Sequence, residues 1–232
     1  MAAEQLDAAL EHAEKAGLSH VDFLHRLLAD QAGQRRQRSI ERRIKDANFR
    51  ELKPLGEFDW NFNPAINRTQ IETLATCDFV GRHQNVVFVG QSGLGKSCLI
   101  QSIGGIACTI GYRVCYLTSG ELLEDLTAAL ADNTIHARIR HYARYDLLIV
   151  DEFGLDRIER SLCPEAASLW FKIIDARTQR ASTALVTNID FEAWTKYLED
   201  EHLAMALLDR VVHGATIVKL KGKSYRTQQN GA

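Results

Sequence analysis

The chain has no excess of charge of either sign: 28 lysines and arginines stand against 30 aspartates and glutamates in 232 residues. No whole-molecule basic field therefore announces nucleic acid, and a DNA site has to come from local clustering. No apolar run approaches the roughly 20 residues that span a bilayer, so no membrane association is expected. The opening MAAEQLDAALEHAEK carries acids early and lacks an apolar signal core, which argues against a secretory leader and for the cytoplasm. Proline is scarce, with three in all. The five cysteines (Cys77, Cys98, Cys108, Cys115 and Cys163) are an odd set without CxxC spacing. Such a set reads as buried free thiols in a reducing compartment, with a zinc site as the alternative. Internal repeats and low-complexity tracts are missing.

What is present is ordinary for a soluble globular protein, 46% hydrophobic and 25% charged, with room for one domain and a short appendage. Residues 3 to about 50 read as helices. Leu6, Ala9, Leu10 and Ala13 fall at helical spacing, and after Gly17 a second pattern runs through Val21, Leu24, Leu27 and Leu28 with Ser19 as N-cap. Residues 31–50 turn basic through Arg35, Arg36, Arg38, Arg42, Arg43, Lys45 and Arg50, against only Glu41 and Asp46; Ile40 and Ile44 would be the buried stripe. Cations arranged in this way hold phosphates by charge without reading bases. The alternative is a solvated helix face packed on a neighbour, and composition does not choose between them. Lys219, Lys221, Lys223 and Arg226 form a second basic cluster in the tail.

Residues 51–68 hold Pro54 and Pro64 and the aromatics Phe58, Trp60 and Phe62, the signature of a linker that packs onto the next domain. From residue 69, helical stretches alternate with short apolar strands at Val86–Val89, Arg113–Leu117, Leu147–Val150, Thr183–Thr187 and Thr216–Leu220. That alternation predicts an α/β fold, a parallel sheet with helices on both faces. The expected organisation is a helical segment 1–52, a linker 53–68 and a domain 69–232.

The run from Gly90 to Ser97, GQSGLGKS, satisfies GxxxxGK[ST] in full, between the apolar VVFV and a helical pattern. Glycines let backbone N–H groups close on phosphates, and the helix N-terminus adds partial positive charge. Nucleotide contacts are expected from Gly90, Gln91, Ser92, Gly93, Leu94, Gly95, Lys96, Ser97 and Cys98, with Lys96 on the β- and γ-phosphates and Ser97 on Mg²⁺. The apolar strand LLIV ends in Asp151 and Glu152. Asp151 would hold Mg²⁺ through its water shell, and Glu152 would orient and polarise the attacking water. An acid pair there favours ATP hydrolysis over transfer to a small acceptor. Asn188, at the tip of ALVTN, would hold that water or sense the γ-phosphate. The lysine of the NKxD guanine signature is missing from Asn188-Ile-Asp190, which lowers a GTPase reading. Arg210 is a candidate finger onto a neighbouring subunit's γ-phosphate, its alternative being a surface pair with Asp209. Arg177 and Arg180 are further candidates for subunit contacts.

Four stretches together resemble the IstB family, ATP-binding helper proteins of insertion-sequence transposition within the AAA+ superfamily, related to DnaC helicase loaders. They are RRQRSIERRIKDANF, FDWNFNP, the core with GQSGLGKS and LLIVDEFG, and ALLDRVVHGATIVKLKGKSYR. The resemblance implies a three-layer AAA+ sandwich on a five-stranded parallel sheet, behind a small all-helical N-terminal domain. It also implies ATP and Mg²⁺, duplex DNA held without strong sequence preference, a homo-oligomeric ring or helix, and a partner transposase. Glu152, Asn188, Arg210 and Lys96 then carry catalysis. The chain ends soon after KGKSYR, so a full C-terminal lid is not expected, and Arg226 is at most a partial substitute for a lid arginine. A DnaC-like helicase loader is the alternative, acting on single strands. A small-molecule kinase would need an arginine-rich lid for which no segment is found.

Overall fold

The computed structural model describes residues 10, 13, 15–155 and 163–222. They fall in two compact units, Met1–Arg42 and Arg43–Ala232. In the first, a helical turn closes at Gly17 (φ 63°), where the Leu18 N–H donates to the Ala13 carbonyl at 3.1 Å. This is the reach-back expected past a helix-ending glycine. Helix α1 (His20–Asp46) starts as predicted, because Ser19 Oγ accepts the Asp22 N–H at 3.2 Å. The helix buries none of its residues; Val21, Leu24 and Leu28 are exposed. It stops at Asp46 rather than near residue 50, because Asn48 adopts φ 59° and reverses the backbone. Arg50 therefore does not belong to the basic helix.

In the second unit come α2 (Arg68–Ala75), α3 (Asp78–Gly81), β1 (Val86–Val89), α4 (Lys96–Ile110), β2 (Val114–Thr118), α5 (Ser119–Ala131) and α6 (Ile135–Ala143). They are followed by β3 (Leu147–Phe153), α7 (Ala166–Arg177), β4 (Ser182–Thr187), α8 (Trp194–Leu198), α9 (Glu201–Val212) and β5 (Thr216–Lys219). The strands build one parallel sheet in the order β2-β3-β4-β1-β5. β1 and β4 are buried along their whole length, as continuous apolar strands in a covered parallel sheet must be. Alternate residues feed two cores. Val87, Val89, Leu148, Val150 and Leu185 join α5 to α9 on one face, whereas Val86, Phe88, Leu147, Ile149 and Ala184 join α2 to α4 on the other. The result is the three-layer α/β sandwich that the alternation predicts.

The segment after α1 packs on the second core through Phe49, Leu55, Phe58 and Trp60. Glycines on α4 make room for it: a Cβ on Gly104 would lie 2.8 Å from the Phe49 ring, and one on Gly105 2.7 Å from Leu52. Ser102 Oγ adds a hydrogen bond to the Lys53 carbonyl at 2.7 Å.

Candidate nucleotide site

Three strand tips meet at one end of the sheet. β1 runs out at Val89 and the chain turns through the Gly90–Gly95 loop into α4, whose N-cap is Gly95 at φ 87°. That backbone conformation favours glycine, and a Cβ there would sit 3.0 Å from the Phe58 ring. Phe58 thus packs against the loop, and both line a cavity of about 420 Å³, a volume in the range of small-molecule sites. Ser92, Gly93 and Gly95 line it from the loop, Lys96, Ser97 and Cys98 from the first turn of α4, Asp151 and Glu152 from β3, and Asn188 from just past the tip of β4. Gly90, Gln91 and Leu94 shape the loop without lining the cavity. Gly90 packs against the Leu220 carbonyl and Leu94 is buried, while the Gln91 carbonyl accepts from Lys96.

Lys96 is buried, and its ammonium donates to the carbonyls of Gly90 (2.6 Å) and Gln91 (2.8 Å) and to Asn188 Oδ1 (2.8 Å). Asn188 Nδ2 lies 3.4 Å from Ser92 Oγ. The structure therefore joins Lys96, expected on the β- and γ-phosphates, to Asn188, expected to hold the attacking water or sense the γ-phosphate.

Burial pushes the Lys96 ammonium down to about 8, against the opposing pull of Asp151. A lysine depressed in the fold destabilises it while charged. That cost is fully present below the folded value and fades as pH rises through it, where the unfolded chain holds the extra proton. A polyphosphate restores the charge. Proton uptake on ATP binding is thus expected to be negligible near pH 7 and to grow toward one proton by about pH 9. Calorimetry in buffers of differing ionisation heat measures it, and a constant uptake across that range would count against this charge balance.

Asp151 is buried, with Oδ2 accepting the Tyr116 hydroxyl at 2.9 Å and Oδ1 accepting the Glu152 N–H at 2.7 Å. Burial first, and Asp151 second, push the Tyr116 phenol up, so it stays a donor. The β3–β4 register slips beyond Val150↔Leu185 and resumes at Phe153↔Thr187, which places one extra residue in β3. Glu152 sits on this bulge at φ 62°, an uncommon conformation for a side chain of its size. Bulges re-aim side chains beside active sites, and this one leaves Glu152 on the cavity wall. Ser97 and Asp151 offer the hard oxygen donors that Mg²⁺ takes.

Other predicted residues lie elsewhere. Arg210, on α9, does not line the cavity. Its Nε donates to Asp175 Oδ1 at 2.9 Å, and its guanidinium lies 4.5 Å from the Phe171 ring centroid. Its partner is thus Asp175, not Asp209. Arg177 is no subunit contact, because it is buried at 1% exposure. Its guanidinium donates to the carbonyls of Tyr142, Tyr145 and Ser182 and to Thr183 Oγ1. Arg180 is exposed. On α1, Arg35, Arg36, Arg38, Arg42 and Lys45 are exposed and Arg43 is half-buried; Ile44 packs on the second core. Lys219 and Lys221 are exposed, whereas Lys223 and Arg226 lie outside the described residues. Cys77, Cys108 and Cys163 are buried and Cys98 and Cys115 half-buried, all as free thiols. No described helix is long and apolar enough to cross a membrane.

Sequence reasoning missed Tyr116 and Arg50. Tyr116 gives no signal beyond its place in a strand. Arg50 falls within the basic run by composition, although Asn48, a residue type that tolerates left-handed backbone, marks the end of the helix.

A family model described as IstB-like ATP binding protein matches residues 1–232. The putative ATP-binding protein of insertion sequence IS232 from Bacillus thuringiensis subsp. berliner is 38% identical over 213 residues, 92% of this chain and 84% of that protein. That of IS21 from Pseudomonas aeruginosa is 34% identical over 224 residues, 97% of this chain and 83% of that protein. Among solved structures, DnaI superposes with a TM-score of 0.60 at 18% identity, over 72% of this chain and 90% of its own. The replication initiator DnaA bound to AMPPCP and single-stranded DNA gives 0.56 at 19%, over 73% and 50%.

Proposed function

The chain belongs to the IstB-like ATP-binding proteins, and on that premise we propose that it hydrolyses ATP with Mg²⁺, oligomerises on duplex DNA and acts there as a regulator of transposition that recruits or stimulates a partner transposase. The carrying observation is the convergence of Lys96, Asn188, Asp151 and Glu152 on one cavity under the glycine loop. Loop N–H groups and Lys96 bind and orient the phosphates. Ser97 and Asp151 hold the metal, which when bound neutralises charge on the β- and γ-phosphates. Glu152 accepts the proton of the attacking water, and Asn188 holds that water or the γ-phosphate. A neighbouring copy supplies Arg210, whose half-exposed pair with Asp175 opens on assembly. The exposed cations of α1 take the DNA phosphates.

The test is negative-stain microscopy on long duplex DNA with Mg²⁺, comparing ATP with ADP, and repeating both with Glu152→Gln and with single strands. Ordered oligomers on duplex only with ATP, more persistent in Glu152→Gln, are expected. Assembly confined to single strands would replace this reading with a DnaC-like helicase loader.

A further inference from the structure

The connector between α1 and the aromatic segment reaches both acids at the tip of β3. The Ala47 carbonyl accepts the Tyr116 N–H at 2.8 Å, so the connector begins along the outer side of β2. The Phe49 ring lies 6.2 Å from that of Tyr116, the residue whose hydroxyl donates to Asp151. The backbone N–H groups of Arg50 and Glu51 then donate to Gln101 Oε1 at 2.9 and 3.1 Å, which fastens the connector to α4. From that fixed point the Arg50 guanidinium extends between two carboxylates, Glu121 at 3.2 Å and Glu152 at 3.6 Å.

The two contacts differ in kind. Glu121 is the N3 residue that closes a capping box with Thr118, its carboxylate accepting the Thr118 N–H at 2.7 Å. That bond first, and Arg50 after it, holds the Glu121 carboxyl below its usual range. Glu152 stands on the strained bulge, and its contact is the longer. Arg50 is therefore anchored on Glu121 and leans on Glu152. At 3.6 Å the Arg50–Glu152 contact is an ion pair without a hydrogen bond, an attraction that biases which way the Glu152 carboxylate turns.

Resting on the ATPase reading above, we propose that Arg50 is a positioning residue that holds Glu152 in an idle orientation, released when duplex DNA engages α1. The helix ends at Asp46, four positions before Arg50, so the connector is the direct chain continuation of α1. Both side chains are about half exposed, at 51% and 44%. Such a pair is weak and reversible, suited to a brake worth about two- to fivefold in rate rather than a lock.

The experiment uses the full chain as wild type, Arg50→Ala and Arg50→Lys. It measures phosphate release with and without duplex DNA, binding of a fluorescent ATP analogue, and hydrogen exchange without nucleotide. Arg50→Ala is expected to raise the DNA-free kcat about two- to fivefold, with KM and analogue affinity unchanged. Stimulation by duplex should shrink by the same factor, exchange should quicken across residues 150–155, and Arg50→Lys should stay near wild type. A hydrolysing wild type whose Arg50→Ala variant binds the analogue normally but is no faster overturns the brake alone. A wild type that releases no phosphate under any condition removes the hydrolysis reading, and the brake with it.

Discussion

Exchanging Glu152 for glutamine is expected to lower kcat for ATP by about 10²- to 10⁴-fold, the usual contribution of a positioned general base. ATP affinity should change by less than about twofold, because the loop and Lys96 that hold the phosphates are untouched. The exchange is close to isosteric. Glutamine accepts φ 62° on the bulge as readily as glutamate does, so the fold keeps its shape while the proton acceptor is lost. Phosphate release and equilibrium binding of a fluorescent analogue separate the two quantities. A kcat within about tenfold of wild type would remove Glu152 from the chemical step and leave Asn188 to orient the water unaided. Lys96→Ala provides the contrast, since it should weaken binding itself.

The largest loss of stability is expected at Arg177. Its guanidinium ties the end of α6 to the start of β4, donating to Thr183 Oγ1 and the Tyr145 carbonyl at 3.0 Å each, and to the carbonyls of Tyr142 and Ser182. These described partners are carbonyls and a hydroxyl, not a carboxylate. Burial lowers the Arg177 pKa to about 10, which leaves it charged at neutral pH. Truncation to alanine leaves buried carbonyls unpaired and a void beside β4. The cost should be about 3–5 kcal/mol, a fall in Tm of roughly 10 °C for a chain of this length. Lysine restores the charge but not the fork of donors, so Arg177→Lys should recover only part. Differential scanning fluorimetry reads the shift. A change under about 2 °C would mean that water or neighbouring donors take over the carbonyls.

How far the sequence reveals such residues depends on the scale of the interaction. The sheet was legible because continuous apolar runs such as VVFV have few other places to go than a covered parallel sheet. The glycine loop was legible because its phosphate geometry needs particular residue types at fixed spacing. Periodicity, however, does not separate a buried arginine from an exposed one. Arg177 and Arg180 look alike, three positions apart, yet one is buried under β4 and the other is exposed. Nor does a strand pattern reveal an extra residue in one of two paired strands. The bulge that turns Glu152 toward the cavity depends on the β3–β4 register, a property of two segments more than 30 residues apart. Arg50 shows the same limit: its partners Glu121 and Glu152 lie 71 and 102 positions away, and composition assigns it to the nearest run of like charge.

The bond from the Tyr116 N–H to the Ala47 carbonyl has a further meaning for the handling of this protein. β2 is an outer strand of the sheet, and a bare outer strand is a template on which other chains add by backbone pairing. Residues 47–50 shield that template at its midpoint, with Phe49 packed beside it. A fragment trimmed to begin at α2 would keep the cavity residues of the glycine loop, α4, β3 and Asn188 but lose Phe58 and strip this cover, exposing a sticky margin of the sheet. Solubility of an excised core therefore depends on where the cut falls relative to Ala47.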